Sequence, residues 1–154
     1  MLFSREDFFS VFALYNEAIW PIQLAMYLLA VVAVAILFLS PPWQSKVVTA
    51  VLALMWTVNG VGYHWLFFTD VNPAAWIFGA AFLGQAVALA ASPYIFSNMK
   101  FSVLRNWRSL AGIGLVVFAA IVYPVWGWWA GYSYPAASMF GVAPCPTTIL
   151  QSAF

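Results

Sequence analysis

The chain has 154 residues, of which 66% are hydrophobic and 6% are charged, and its net charge is +1. A soluble domain carries about a quarter charged residues, so the composition excludes a soluble globular protein. Its few scattered cations also exclude a nucleic acid partner. The lone cysteine, Cys145, rules out an intrachain disulfide and a two-cysteine metal motif. We therefore predict an all-α membrane protein with the lipid bilayer as its partner, built as one membrane domain over residues 1–154.

Residues 1–18 are predicted to form a short interfacial helix ahead of the first span. Acidic residues near the start argue against a signal peptide. Ser4 and Asp7 have the spacing of a capping box, and Phe8, Phe12 and Tyr15 recur at helical spacing.

Four long apolar runs follow, and each predicts a transmembrane helix, because about 20 helical residues cross the hydrocarbon core. The runs are residues 21–39, 47–68, 74–91 and 110–129. In the third run, Ala80, Gly84 and Ala88 form a stripe of small residues that lets another helix backbone come close. In the fourth run, Pro124 predicts a kink or the outer end of the helix.

Basic residues occur in only two of the links between these spans. Lys46 lies in the first link, and Lys100, Arg105 and Arg108 lie in the third. Since links rich in Lys and Arg face the cytoplasm, this pattern predicts an N-terminus on the outside.

The end of the chain combines an uncharged loop with the start of another helix. Residues 131–146 are rich in Gly, Pro and Ser, and residues 147–154 read as the opening of a fifth helix. These eight residues are too few to cross a membrane, so we expect a partial or truncated fifth helix.

Three segments of the chain, FSREDFFSVFALYNEAIWP, NGVGYHWLFFTDVNPAAW and FGVAPCPTT, carry a family resemblance. In this order they resemble a family of bacterial multi-pass membrane proteins of unknown function. The resemblance implies a polytopic protein of the bacterial inner membrane and lends no activity. Members of that family continue beyond PCPTT into further apolar helix, and this chain departs from them by stopping at Phe154.

The only histidine, His64, is the first candidate site residue, because an ionisable group in a membrane usually faces a bundle interior or a cavity. At α-helical spacing it shares a stripe with Thr57, Gly60 and Phe68, which would leave it facing a gap at Gly60. The alternative is an interfacial histidine bonded to a backbone carbonyl or to water.

Asn59 and Tyr63 form a second stripe, and Gly60 and Gly62 weaken the helix beside them. A local break there would expose carbonyl groups, as in the interrupted helices of transporters. The alternative is that Asn59 hydrogen-bonds across to another helix.

Cys145 stands between Pro144 and Pro146 at a predicted helix start, where a thiolate is stabilised. It is a candidate soft-metal ligand or reactive thiol, and the alternative is a small apolar residue at a turn. Glu17 is a candidate proton-relay group or a solvated residue at headgroup level. We predict that His64 and Cys145 lie at similar depth near the outer face.

No paired acids, histidine cluster or arrangement of nucleophile and base occurs in the sequence, so enzymatic turnover is not indicated. Two hypotheses remain. In one, the protein handles or transports a small solute or soft metal ion at an outer-face site around His64 and Cys145, with the metal or cofactor unassigned. In the other, it is an accessory or structural subunit that packs against a larger membrane complex, with a membrane protein or a second copy of the chain as its partner. The second hypothesis expects the Ala80, Gly84 and Ala88 stripe to contact another chain, whereas the first expects it to pack internally.

Overall fold

The computed structural model describes residues 4–101, 103 and 106–154, apart from the Arg5 side chain, and all regular secondary structure in this part of the chain is helical. Residues 1–3 of the predicted interfacial segment and Arg105 of the third link lie outside it. The segments are α1 (Arg5–Ala18), α2 (Trp20–Leu39), α3 (Gln44–Thr57), π1 (Val58–Phe68), α4 (Ala75–Ile95), α5 (Trp107–Val117), π2 (Phe118–Val122), α6 (Tyr123–Trp129) and α7 (Pro144–Gln151).

Four helical stretches are long and apolar enough to cross a membrane, which confirms the four predicted spans. They are Trp20–Leu39, Gln44–Phe68, Ala75–Ile95 and Trp107–Trp129. We call them spans one to four.

Span three continues beyond its predicted end and includes Pro93. The missing N–H of Pro93 leaves the Leu89 carbonyl without its usual helical donor. The Ser92 hydroxyl donates to that carbonyl oxygen at 2.7 Å, so the helix passes through the proline.

The first helix begins with the predicted capping box. The Ser4 hydroxyl accepts from the Asp7 backbone N–H at 3.0 Å, and the Asp7 carboxylate accepts from the Ser4 N–H at 3.0 Å. The Ser4 hydroxyl also donates to the Asp7 carboxylate at 2.7 Å, and this bond together with the one from the Ser4 N–H lowers the pKa of the Asp7 carboxyl. Further along α1, the rings of Phe8 and Phe12 pack against Phe68, with centroids 5.3 and 5.7 Å away, so α1 lies against the end of span two.

Span two is the core of the bundle. In the most hydrophobic stretch of 18 residues within span two, 61% is buried. The corresponding shares in spans one, three and four are 28%, 17% and 11%. It packs against α4 along its length, against α2 in its α3 half, against α1 at one end, and against α7. Polar side chains on span two therefore meet protein on most sides.

Two spans contain a π-helical stretch, in which the backbone bonds reach one residue further than in an α-helix. In π1, Gly60 and Gly62 weaken the α-helical preference, and the helix widens there without breaking. The second stretch, π2, ends two residues before Pro124, whose ring would clash with a carbonyl of an α-helical turn ahead of it.

The wider turn corrects one expectation about helix faces. The Phe68 ring stacks on Tyr63, five residues earlier, with centroids 4.1 Å apart. Phe68 therefore shares the face of Tyr63 and not that of His64, because α-helical spacing does not hold within π1.

Spans two and three cross backbone to backbone at a pair of glycines. A Cβ on Gly60 would lie 3.1 Å from the Gly79 carbonyl oxygen, and a Cβ on Gly79 would overlap Trp65 Nε1. The gap expected beside Gly60 is thus filled by α4. The predicted small stripe lies elsewhere on α4: Ala80, Gly84 and Ala88 are exposed.

The chain returns to the bundle through residues 130–143, called here the return loop, and ends in α7. The return loop buries Phe140, Val142 and Ala143 almost completely. Helix α7 begins three residues earlier than predicted and packs against α3, α5 and π2, which confirms a partial fifth helix.

Candidate functional site

A cavity of about 470 Å³ lies where α1, π1, α6 and the return loop meet. We call it the tyrosine cavity. Its volume is in the range of about 300–1,000 Å³ that is typical of small-molecule sites. It is lined by Phe8, Phe9, Phe12, Tyr63, Tyr123, Pro124, Trp126, Gly127, Ala130, Tyr132, Ala136, Ala137, Ser138, Pro144 and Cys145.

Two tyrosines in this cavity are placed by the two π-helical stretches. Tyr63 lies within π1, and Tyr123 follows directly after π2. The side chains of Ser138 and Cys145 lie close enough to Tyr123 to interact with it, and Cys145 also lies close enough to interact with Tyr63. Hydroxyl and thiol groups from four segments thus line the same cavity.

Cys145 is the second residue of α7, and its side chain is exposed to the cavity. The first and third residues of α7 are Pro144 and Pro146, which have no N–H to donate. Among the first three residues of α7, only Cys145 therefore has a backbone N–H. This helix start thus presents few unpaired N–H donors to the cavity.

The remaining walls are mainly aromatic. Phe9 of α1 stacks on Tyr132 of the return loop, with ring centroids 4.8 Å apart and planes 18° apart. None of the lining residues, all of which belong to the described part of the chain, is charged. The cavity is therefore an uncharged aromatic space with one polar corner.

Polar side chains of α1 hold the return loop in place. The Tyr15 hydroxyl donates to the Val142 carbonyl oxygen at 2.7 Å, and Asn16 Nδ2 donates to the carbonyl oxygens of Pro135 and Ala137 at 2.6 and 2.7 Å. Burial raises the pKa of the Tyr15 phenol, so it keeps its proton and remains a donor. Because Ser138 directly follows Ala137, these bonds also position one of the polar groups of the cavity.

Asn59 holds the end of the return loop from the other side. Its Nδ2 donates to Thr147 Oγ1 of α7 at 3.1 Å, to the Gly141 carbonyl oxygen at 3.4 Å, and to Met55 O within its own span at 2.8 Å. Asn59 is fully buried. It links π1 to α7 and to the return loop.

His64 lies on another side of π1. Its ring packs against Phe82 and Phe78 of α4, with centroids 4.8 and 5.9 Å away, and it is 8% exposed. Its Nε2 has no hydrogen-bond partner among the described residues. The structure does not bring His64 together with Cys145 in the cavity; the neighbouring Tyr63 lies near Cys145 instead.

Glu17, the remaining candidate, is exposed near the end of α1 and is not one of the cavity residues. Sequence reasoning missed Tyr123, Ser138 and Gly127. The sequence offered one signal for Tyr123: the proline that follows it, Pro124, indicates an irregular turn at this position. Within the described part of the chain, no three His, Cys, Asp or Glu side chains come together as metal ligands would.

Two other cavities, of about 360 and 740 Å³, lie between α2 and α5 near the basic links. Most of their described lining is apolar, and few polar groups converge there. The tyrosine cavity is the better candidate, because binding sites combine apolar walls with a few converging polar groups.

A family model matches residues 5–154 of the chain, nearly its whole length, and is described as a family of unknown function (DUF6064). No curated protein and no solved structure matches the chain.

Proposed function

Since the chain belongs to this family of unknown function, whose description carries no activity, we propose a function from the cavity itself. The protein binds a small solute in the tyrosine cavity and does so without enzymatic turnover. The observation that supports this is the convergence of Tyr63, Tyr123, Ser138 and Cys145 at one corner of an otherwise aromatic cavity. Transport of the bound solute is part of the same proposal.

We propose that this cavity faces the outside of a bacterial inner membrane. Lys46 lies in the first turn of span two and Lys100 follows span three, so both belong to the end of the bundle opposite Tyr63. Because basic links face the cytoplasm, the cavity and α1 would lie on the outer side.

An organic solute fits this site better than a soft metal ion. Soft ions prefer thiolate, thioether and imidazole ligands, and the cavity offers one thiol beside oxygen groups. His64, the other soft ligand predicted to share the site, packs against α4 instead.

The test fills the cavity and asks whether a bound molecule is lost. A Cβ on Gly127 would meet only the Tyr132 carbonyl oxygen, at 4.0 Å, so Gly127→Leu places a side chain beside the cavity without a backbone clash. Gly114→Leu is the matched control, because Gly114 lies in the same span with nothing within 4 Å. Small molecules that co-purify with the protein are extracted and identified by mass spectrometry.

We expect a species that is retained by the wild type and Gly114→Leu and lost from Gly127→Leu. If the wild type retains nothing beyond what Gly127→Leu retains, the cavity is not a solute site and the proposal is wrong.

A second function is favoured by the position of the small stripe. Ala80 and Ala88 are exposed, and a Cβ on Gly84 would have nothing within 4 Å, so this face of α4 is free to pack against another membrane helix. This supports an accessory subunit or a homo-oligomer. Gly84→Leu should then lower the apparent size of the assembly extracted in mild detergent, whereas an unchanged size would mean that the stripe faces lipid.

A further inference from the structure

The class of solute can be narrowed from the chemistry of the tyrosine cavity, in an inference that rests on the proposed function. Charge is the first restriction. No lining residue is charged, and prolines occupy two of the first three positions of α7. An ion buried there would lose its hydration without gaining a counter-charge or a set of N–H donors, so a neutral solute is favoured.

The polar corner is the second restriction. Tyr123 interacts with Ser138 and Cys145, and Tyr63 lies beside the same thiol. Each of these groups can donate a hydrogen bond. A pure hydrocarbon would use none of these donors, whereas a solute with a carbonyl or hydroxyl oxygen could accept from them.

The walls are the third restriction. Phe12 and Tyr63 meet edge to face with centroids 5.2 Å apart, and Phe9 is stacked on Tyr132. Flat rings pack favourably against aromatic faces and edges. A planar ring would therefore use these walls better than a flexible chain alone.

The opening is the fourth restriction. Trp126 lines the cavity, yet 64% of its surface is exposed, and Ala130 beside the cavity is exposed as well. Trp126 belongs to the last turn of span four and Ala130 directly follows that span, so the cavity opens towards the side of the bundle, where lipid would lie. A solute already dissolved in the membrane could enter there, and its apolar tail could remain in the lipid.

We propose that the solute is an uncharged membrane amphiphile with a planar ring, whose carbonyl or hydroxyl oxygen accepts a hydrogen bond from Tyr123. This is the chemistry of a quinone headgroup carrying an apolar chain. Only binding is inferred, with no electron transfer.

The test compares three probes on the purified full chain in lipid nanodiscs. They share one apolar tail: a decyl-substituted benzoquinone, decanol, which lacks the ring, and decyl phosphate, which is charged. Each is titrated against the wild type, Gly127→Leu with its control Gly114→Leu, and Tyr123→Phe with its control Tyr94→Phe. Tyr94 is exposed at the end of span three, away from the cavity.

The benzoquinone should bind at least about tenfold more tightly than the other two probes and should lose its binding in Gly127→Leu. Tyr123→Phe should weaken its binding about fivefold to tenfold, which is the effect of losing one hydrogen bond from an otherwise unchanged ring. The two control variants should bind like the wild type.

Two results would overturn the inference, and they separate it from the proposed function. Equal binding of decanol or decyl phosphate, still abolished by Gly127→Leu, would show that the cavity binds solutes of another class. If Gly127→Leu leaves benzoquinone binding unchanged, or if no probe binds, the inference of a quinone-like ligand in this cavity is wrong. The co-purification test would then decide whether the cavity binds any solute.

Discussion

Span two presents two faces that handle polar groups in opposite ways. On the side of α4, Gly60 meets Gly79 and the His64 ring packs among phenylalanines, with Nε2 lacking a partner among the described residues. On the side of α7, Asn59 Nδ2 bonds the return loop and α7, although Asn59 Oδ1 also lacks a partner among the described residues, and Tyr63 lines the cavity.

The difference follows from what each face meets. The backbone groups of α4 are bonded within that helix, so the face of span two that packs on α4 needs only to fit closely. The return loop is not helical, and its buried carbonyl groups need donors from elsewhere, because a membrane supplies no water to bond them. Polar residues of span two therefore form cross-links where the span meets irregular backbone, whereas His64 packs among phenylalanines.

The largest expected effect is on the packing face. Gly79→Leu would drive a side chain into Trp65, which donates from Nε1 to the Trp76 carbonyl oxygen at 3.1 Å, and into the Gly60 backbone. We expect a loss of about 3 kcal/mol in the free energy of unfolding, at the upper end of overpacking effects. Unfolding in lipid-detergent mixtures measures it.

The matched control for this prediction is Gly84→Leu, which lies on the same helix facing outwards. Monomer stability should stay within about 0.5 kcal/mol of wild type, as for most surface substitutions. Equal losses for Gly79→Leu and Gly84→Leu would contradict the close crossing at Gly60.

Asn59→Ala should have the next largest effect, on the face towards α7. It removes donors to Thr147 Oγ1 and the Gly141 carbonyl oxygen, two contacts that hold the return loop. Leaving these buried oxygens without a donor costs about 1–3 kcal/mol, so the expected loss is about 2 kcal/mol in the free energy of unfolding.

Thr57→Ala is the control for Asn59→Ala, because the Thr57 hydroxyl bonds only within its own helix, to the Ala53 carbonyl oxygen. It should cost less than half as much. Cys145 should also react faster with a thiol reagent in Asn59→Ala, since α7 loses an anchor; an unchanged rate would argue against that anchoring role.

The four spans could be predicted from the sequence because each is a local property. Hydropathy over about 20 residues decides whether a helix can cross, and no tertiary information is needed. The same local rules anticipated the capping box at Ser4 and the partial fifth helix. They failed at Phe68, because the π-helical turns depend on how Gly60 and Pro124 meet their surroundings.

The cavity could be predicted only in part. Tyr63 and Cys145 stood out by their local setting, but Tyr123 and Ser138 belong to the site through the return loop, whose path depends on bonds from Asn16 and Asn59. Those bonds join residues more than 80 positions apart. No periodicity in one sequence reports such contacts.

Removing one hydroxyl from α1 should have a smaller effect than Asn59→Ala. Tyr15→Phe deletes the 2.7 Å hydrogen bond to the Val142 carbonyl oxygen and keeps the ring. The expected loss is about 1 kcal/mol in the free energy of unfolding.

Tyr27→Phe is the control for Tyr15→Phe. The Tyr27 ring also packs on the return loop, with its centroid 4.8 Å from that of Phe140. Its hydroxyl forms no hydrogen bond with another described residue. A loss as large in Tyr27→Phe would mean that the Tyr15 effect does not come from its hydrogen bond.

The smallest effect, and the one that most sharply separates the two faces, is expected at His64. His64→Phe removes a buried nitrogen that has no partner within the described chain and keeps a ring against Phe82. Replacing an unsatisfied polar atom by an apolar group of similar shape is close to neutral or stabilising. We therefore expect the free energy of unfolding to fall by no more than about 0.5 kcal/mol, or to rise.

Solute retention in His64→Phe should equal that of the wild type, because His64 does not line the cavity. If His64→Phe instead lost the bound solute while keeping its stability, the α4 face would carry the site, and the assignment of packing to one face and binding to the other would be reversed.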